Sequence, residues 1–405
     1  MKHDTRHMIK GTLILRRGRE KPVLNHHPWL FSGAVQRIEG DPMPGDVVQI
    51  VAGDGRFLAL ALFNPHSQIQ ARILTWHDEA IGNSFWRIKI ERALNHRALL
   101  NLEPATTAYR LINAEADGLP GLVVDKYGDF LVMQCLAFGI DSRKEMLAHL
   151  LADFLQPAGI IERSDVDIRQ KEGLPPVSGL LWGEAPPAET IIRENGYHFG
   201  VDLLAGHKTG FYLDQRQNRP AVCRPSHVAH KTILNAFAYT GGFAIYAVAQ
   251  EAAAITNIDS SIPALEQAER NMALNGFQRP QDEYIAGDVF EVLRYYREEG
   301  QQFDMVILDP PKFAHSQRDL QRASRGYKDL NMQALHLIHP GGLLATFSCS
   351  GLVSSDLFQK ILFAAAIDAH RDVQIIQPLG QPADHPILLT FPESAYLKGL
   401  LCRVW

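Results

Sequence analysis

The stretch KTILNAFAYTGGF, Lys231 to Phe243, decides how the C-terminal half of this chain is read. An apolar run ending in Asn235-Ala236 has the character of a buried strand. Phe237-Ala238-Tyr239-Thr240-Gly241-Gly242 then places paired glycines where a strand gives way to a helix, and backbone there can approach a ligand closely. From this point strands and helices alternate, the pattern of a parallel sheet covered by helices on both faces. The expected strands are Thr232 to Ala236, Ala253 to Ile258, Asp282 to Ile285, Asp304 to Leu308 and Leu343 to Phe347. Between the second and third, Ser261 is placed to cap a helix whose residues Leu265, Ala268 and Met272 share a face, with Gly276 at its end. Leu320, Ala323, Tyr327, Leu330, Ala334 and Leu337 recur at helical spacing, and His339-Pro340-Gly341-Gly342 is expected to break the chain before the fifth strand.

The strand ends carry acidic residues. Asp259 closes the second strand, where a carboxylate can accept from both hydroxyls of a ribose. Asp288 closes the third, in reach of an adenine amino group. Each also has a purely local reading, Asp259 as a helix-capping turn residue and Asp288 as a loop turn. The loop holds only Gly241-Gly242 rather than the GxGxxG that cradles a dinucleotide pyrophosphate. Ribose and adenine contacts without a phosphate cradle point to S-adenosylmethionine rather than NAD.

The fourth strand runs into Asp309-Pro310-Pro311-Lys312-Phe313 and the fifth into Phe347-Ser348-Cys349-Ser350. Two prolines hold an extended, rigid loop that can present Asp309 and a flat apolar wall to a planar base. Neighbouring strands lie about 4.8 Å apart, so the two ends should share one crevice. A cysteine there has a defined use. Carbon 5 of cytosine is too weak a nucleophile to take a methyl group directly, whereas thiolate addition at C6 turns it into an enamine-like carbon. Asp309 is the candidate to bind the base edge and manage protons. The competing reading of Cys349 is a small buried residue at a strand end. Cys135, Cys223 and Cys402 read as structural.

The remaining sequence sets the frame. The 405 residues are too many for one ordinary domain, and 46% hydrophobic with 21% charged residues is globular composition. The first 75 or so residues read as short strands (Leu13 to Leu15, Gly33 to Val35, Asp46 to Val51, Arg56 to Leu62) separated by turn signals, a small β-barrel or sandwich. A helix from about Phe85 to Leu102, a hairpin around Gly128, a helix from Arg143 to Phe154 and a Gly/Pro-rich loop from Gln170 to Pro187 suggest a linking α+β module. The expected division is 1–78, 79–190 and 191–405. Four dispersed cysteines without a CxxC pair, no apolar leader and no apolar run long enough to span a bilayer point to a reducing cytoplasm. Among the 17 histidines, His26-His27 and His336/His339 have no carboxylate or thiolate partners at metal-ligand spacing, so no metal is expected. A net charge of -5 gives no global attraction to nucleic acid. Phosphate contacts would fall to local clusters: Arg16, Arg17, Arg19 and Lys21 near the N-terminus, and Arg318, Arg322, Arg325 and Lys328 later. Either cluster can equally be a solvated face.

On GHKTGFYLDQRQNR (Gly206 to Arg219), NAFAYTGGF, LDPPKFA (Leu308 to Ala314), FSCS and FPESAYLKGLL (Phe391 to Leu401), the chain resembles the large-subunit ribosomal RNA cytosine-C5 methyltransferase I family over nearly its whole length. The resemblance implies an N-terminal PUA-like RNA-binding barrel, a linking module and a class I methyltransferase domain with a Rossmann-like doubly wound α/β sheet. It implies 23S ribosomal RNA as partner, with no membrane and a homodimer left open. Cys349 would be the nucleophile. Lys208, Thr209, Gly210 and Asp214 would border the cofactor, which Asp259, Asp288 and Asp309 would contact. The adjoining Asn235, Phe237, Tyr239, Thr240, Gly241, Ser260 and Val289 complete the expected cofactor set. Arg16, Arg17 and Lys21 gain a use in RNA binding, and Lys312, Arg318 and Arg322 are expected to join them. Two departures stand out. His207 occupies a place where the family is expected to carry glutamine. Lys312 follows the prolines where many RNA cytosine-C5 methyltransferases have a second cysteine, which leaves the base for the C5 proton unassigned. The readings set against this one are nitrogen methylation of an rRNA guanine and a non-catalytic assembly factor.

Overall fold

A computed structural model describes residues 9–206, 210–314 and 316–405. By contacts the chain forms two compact units. One holds the residues up to Asn195 with Val201–Leu213 and Ala383–Ser394; the other holds Gly196–Gly200, Asp214–Pro382 and Ala395–Trp405.

The first unit carries two sheets. The N-terminal one has six strands, in spatial order Trp29–Phe31, Ile69–Thr75, Phe57–Phe63, Val47–Val51, Gly11–Leu15 and Val35–Gly40. Its core is built from Leu13, Leu15, Val48, Ile50, Ala61 and Ile73. The expected strand at Gly33 to Val35 is corrected. Ser32–Ala34 form a 3₁₀ turn and the strand begins at Val35. The second sheet runs Ala108–Asn113, Leu122–Tyr127, Phe130–Cys135, Gly159–Ser164 and Val177–Gly183, each beside the next. Helices Asn83–Ala98 and Lys144–Leu155 seal it, with Trp86, Ile90, Leu147 and Leu151 packed on Val124, Met133 and Ile160. The strand Val177–Gly183 overturns the loop expected there. It is an edge strand with no buried side chain, so it shows no hydrophobic alternation, yet its backbone completes the ladder with Gly159–Ser164.

The second unit is built on seven strands: β1 (Thr232–Ala236), β2 (Ala254–Asp259), β3 (Glu283–Ala286), β4 (Phe303–Leu308), β5 (Ile338–Ser348), β6 (Val373–Gly380) and β7 (Lys398–Val404). Their spatial order is β3-β2-β1-β4-β5-β7-β6, with only β7 antiparallel to its neighbours. Met305, Val306, Ile307 and Leu308 are all fully buried, as a central parallel strand covered on both faces requires. The longer helices of the unit are α1 (Gly242–Ala249), α2 (Ile262–Leu274), α3 (Val289–Glu298), α4 (Leu320–His336) and α5 (Ser355–Asp368). The Ser261 hydroxyl accepts the Ala264 amide at 3.3 Å and starts α2, and Ala323, Tyr327, Leu330 and Ala334 bury one face of α4. The expected break at His339 to Gly342 lies inside β5. It appears as an irregularity in the ladder, which passes from Phe303↔Ile338 to Met305↔Leu343 with Gly341 at φ 84°. Among the described residues no helix is long and apolar enough to cross a membrane.

Candidate active site

The sheet reverses its winding between β1 and β4, and in such sheets ligands sit outside the carboxyl ends of the strands at that point. The backbone leaving β1 is held in an uncommon shape. Phe237 and Tyr239 have φ of 60° and 47°, left-handed values that cost a bulky residue on the order of 1–3 kcal/mol and persist only when the surroundings impose them. The imposing contacts are visible. The Ala238 amide donates to the Ile258 carbonyl at 2.9 Å, the Tyr239 amide to Asp259 Oδ2 at 2.8 Å, and Asn271 Nδ2 to the Thr240 carbonyl at 3.0 Å. Gly241 (φ 79°) finishes the loop, and a Cβ there would stand 3.0 Å from that of Ala268.

Asp259 also accepts the Ser261 amide on Oδ1 at 2.9 Å, while its backbone carbonyl accepts the Gly287 amide at 3.0 Å, joining the loops after β2 and β3. Asp288 is exposed and caps α3, its Oδ1 accepting the amides of Phe290 at 2.8 Å and Glu291 at 3.3 Å. The local roles of these two residues are therefore real. They fix carboxylates at two successive strand ends, and a carboxylate has lone pairs beyond the ones so used. Ser260 is exposed beside Asp259, and Val289 is buried in the core. Asn235 is buried, its Nδ2 donating to Asn257 Oδ1 at 2.9 Å. Asp214 is buried and accepts the Tyr396 hydroxyl at 2.9 Å on Oδ2. Gly210 packs in the first unit against Asp202 and Leu203. Lys208 and Thr209 lie outside the described residues.

The DQRQNR segment holds more than the one residue singled out from sequence. Gln215, Arg216, Asn218 and Arg219 are all nearly inaccessible, and Arg219 lies under the first turn of α1. A Cβ on Gly242 would meet its Nε at 2.5 Å. The fit to an adenosine-bearing methyl donor rests on the strained loop and the paired carboxylates, with no glycine-rich phosphate cradle beside them.

At the next strand ends, Leu308 pairs with Ala236 on one side and Thr346 on the other, so the loops after β4 and β5 leave the same edge. Asp309 is half-buried, and its amide reaches the Ala236 carbonyl at 3.4 Å. Cys349 is half-buried and directs Sγ to the Pro310 carbonyl at 4.0 Å. Asp309 and Cys349 thus belong to adjoining loops, as the sequence implied. Cys135, Cys223 and Cys402 are buried, and burial pushes their thiols up, to about 12 for Cys402.

Ser350 fastens these loops. Its Oγ accepts the Ala314 amide at 3.4 Å and meets the Tyr327 hydroxyl at 3.1 Å, while the Phe313 and Tyr327 rings pack at 4.6 Å. Lys398, at the start of β7, is buried and donates Nζ to the carbonyls of Ser350 at 2.7 Å and Val353 at 2.6 Å. Burial lowers its ammonium to about 8, against an opposing pull from Cys349. Burial likewise raises the Tyr327 phenol. Sequence reasoning placed Tyr327 only on the core face of a helix and passed over Lys398. The available signal was a lysine opening the otherwise apolar run Gly399-Leu400-Leu401-Cys402.

The basic residues are surface residues in both units. Arg16, Arg17 and Lys21 are exposed, with Arg16 Nε donating to the Val35 carbonyl at 3.1 Å. Lys312, Arg318 and Arg322 are exposed in the second unit, where Arg322 stands 3.7 Å from Asp319.

Residues 13–76 match the PUA-like domain family and residues 163–403 the S-adenosylmethionine-dependent methyltransferase family. A ribosomal RNA large subunit methyltransferase I from Shewanella amazonensis is 51% identical over 96% of this chain and 98% of its own length. One from Klebsiella pneumoniae is 46% identical over 97% and 98%. A solved structure from Streptococcus mutans, described as a SAM-dependent methyltransferase, shares the fold at TM-score 0.84 and 24% identity, covering 98% of this chain and all of the other. A second, described as a methyltransferase complexed with SAH, superposes at TM-score 0.86 and 23% identity with the same coverage. With more than half its length matched to one enzyme family and near-complete relatives well above 30% identity, the chain belongs to the S-adenosylmethionine-dependent methyltransferases of the ribosomal RNA large subunit methyltransferase I family.

Proposed function

We propose that the protein methylates carbon 5 of a cytosine in 23S ribosomal RNA through a covalent adduct to Cys349. The observation that carries this reading is Cys349 itself, half-exposed at the end of β5 with Sγ against the Pro310 carbonyl, on the same sheet edge as Asp309. The ribosomal substrate follows from the relatives, which are named as large-subunit rRNA methyltransferases.

S-adenosylmethionine supplies an electrophilic methyl group when bound. Asp259 and Asp288 would receive the hydroxyl and amino donors of its adenosine part, and the loop Phe237–Gly241 would close against it. Cys349 adds as thiolate to C6 of the cytosine, forming an S–C6 bond and moving the C5–C6 electron pair onto C5. Carbon 5 then takes the methyl group with its electron pair as the methyl–sulfur bond of the donor breaks, which leaves S-adenosylhomocysteine. Removal of the C5 proton by a base sends that bond's electrons into C5–C6, the S–C6 bond breaks, and the thiolate is regenerated. Asp309 would hold the exocyclic amino edge of the base, which sets the ring against Cys349. Arg16, Arg17 and Lys21, with Lys312, Arg318 and Arg322, would supply phosphate contacts.

The test uses labelled methyl transfer to 23S rRNA fragments, followed by nucleoside analysis. The expected product is 5-methylcytosine from the wild type and none from Cys349→Ala, with S-adenosylhomocysteine affinity unchanged within about twofold. Full activity of Cys349→Ala, or 7-methylguanine as product, overturns the reading, since a nitrogen lone pair needs no thiolate.

A further inference from the structure

We infer that Lys398 is the positioning residue that keeps Cys349 ionised, its buried ammonium serving as the counter-charge of the thiolate. The inference rests on Cys349 being the nucleophile.

A strand-opening lysine buried to 7% exposure needs a reason, because an ammonium removed from water is costly unless it is paired. Among the described residues Lys398 has no carboxylate within ion-pair distance. Its partners are the carbonyls of Ser350 and Val353, one and four residues after Cys349 in the chain. The antiparallel ladder sets Lys398 opposite Ser348, the residue just before Cys349. Two of the three ammonium donors are thus fixed on the loop that bears the sulfur. Among acidic groups, Cys349 is the one that acts on Lys398, holding its proton on against the effect of burial.

Other titratable groups stand on the elements beside the cysteine loop. Tyr327, on α4, is fully buried, and its hydroxyl is engaged with Ser350. Burial keeps that phenol protonated, and a Cys349 thiolate would reinforce this. Asp309, one residue from the Pro310 carbonyl that Sγ meets, carries the opposing charge. Lys312 is exposed on the same loop. Lys398 is therefore the buried cation held on the loop that carries Cys349. In the ionisation itself the Sγ–H bond breaks, the proton passes to solvent, the sulfur keeps the electron pair and the ammonium keeps its own proton. A free thiol is only a few per cent ionised at neutral pH, so a nearby cation shifts the population that can add to a base.

The experiment is alkylation of Cys349 by iodoacetamide across pH 5–10 in the full-length protein, read by peptide mass spectrometry. Wild type, Lys398→Gln and Lys398→Arg are compared, with S-adenosylhomocysteine calorimetry confirming the fold. The wild-type inflection is expected below the ordinary thiol value of about 8.5. Lys398→Gln should move it upward and slow alkylation at pH 7 by about tenfold, with Lys398→Arg recovering part of the rate. The pH optimum of methyl transfer should rise in parallel in Lys398→Gln. An unchanged alkylation profile in a Lys398→Gln protein that still binds S-adenosylhomocysteine overturns the inference and leaves the Cys349 mechanism standing. Should that variant not fold, a wild-type inflection at or above about 8.5 overturns it. Active Cys349→Ala removes the mechanism itself, whatever the alkylation shows.

Discussion

The hydroxyls of Tyr327 and Ser350 lie 3.1 Å apart, both fully buried, and tie helix α4 to the residue that follows Cys349. Ser350 also takes the Ala314 amide, so one side chain holds the Pro-Pro loop, the cysteine loop and a helix together. Tyr327→Phe removes one neutral buried bond. It should cost about 1–3 kcal/mol in urea unfolding and lower kcat more than S-adenosylhomocysteine affinity. Unchanged stability and kcat would show that the loops are held by other contacts.

Asp259 receives two amides, from Tyr239 and Ser261, one on each oxygen. Asp259→Asn must turn an NH₂ group toward one of those donors. The loss of a charge-assisted bond, about 1.5–3 kcal/mol, should weaken S-adenosylhomocysteine binding by tenfold or more in calorimetry. An affinity within threefold of wild type would remove Asp259 from the cofactor site.

Gly399 lies opposite Phe347 in the ladder between β5 and β7, and a Cβ there would come 2.4 Å from the Phe347 ring and 3.1 Å from Leu379. Gly399→Ala overpacks a site walled by a buried ring. A loss of about 1–3 kcal/mol is expected from the shift in urea midpoint at constant m-value. A stability equal to wild type would mean that the ring moves at no cost.

Lys398 titrates at about 8 when folded, against 10.5 in its ordinary state. Between those values the unfolded chain binds the proton and the folded one has released it. This group therefore makes stability rise with pH across the window from about 8 to 10.5, and contributes nothing to the slope well below it. Buried tyrosines and thiols push the other way, so the measurable quantity is the difference between wild type and Lys398→Met. That difference should shift in favour of the wild type as pH passes from 7.5 to 10, by denaturant unfolding. A difference independent of pH would mean that Lys398 keeps its ordinary titration in the fold.

The parallel sheet was legible because its strands are continuous apolar runs closed by acidic or glycine residues, as at Ile307-Leu308-Asp309. The same features put Asp309 and Cys349 at one edge, since strand order carries the inference without any side-chain detail. What escaped was set by tertiary context. Val177–Gly183 is an edge strand with no fully buried side chain and so leaves no periodic trace. Helices α3 and α5 begin at Asp288 and Ser354, caps that become visible once the backbone is seen to turn there. Lys398 is silent in sequence because nothing local reveals that two carbonyls some fifty residues earlier accept its ammonium.

The segment Ala383–Ser394 belongs by contacts with the N-terminal residues, although β6 and β7 on either side of it belong to the methyltransferase sheet. Arg97, in the helix Asn83–Ala98, donates to the Asp384 carbonyl, and the Arg110 amide, in the strand Ala108–Asn113, donates to its carboxylate. Cleavage near residue 195 would therefore not release two self-sufficient halves. A fragment beginning at Asp214 would retain a twelve-residue excursion stripped of these arginine partners, with Leu389 already 97% exposed at its tip. Dissection of this enzyme by truncation will report on that orphaned excursion before it reports on catalysis.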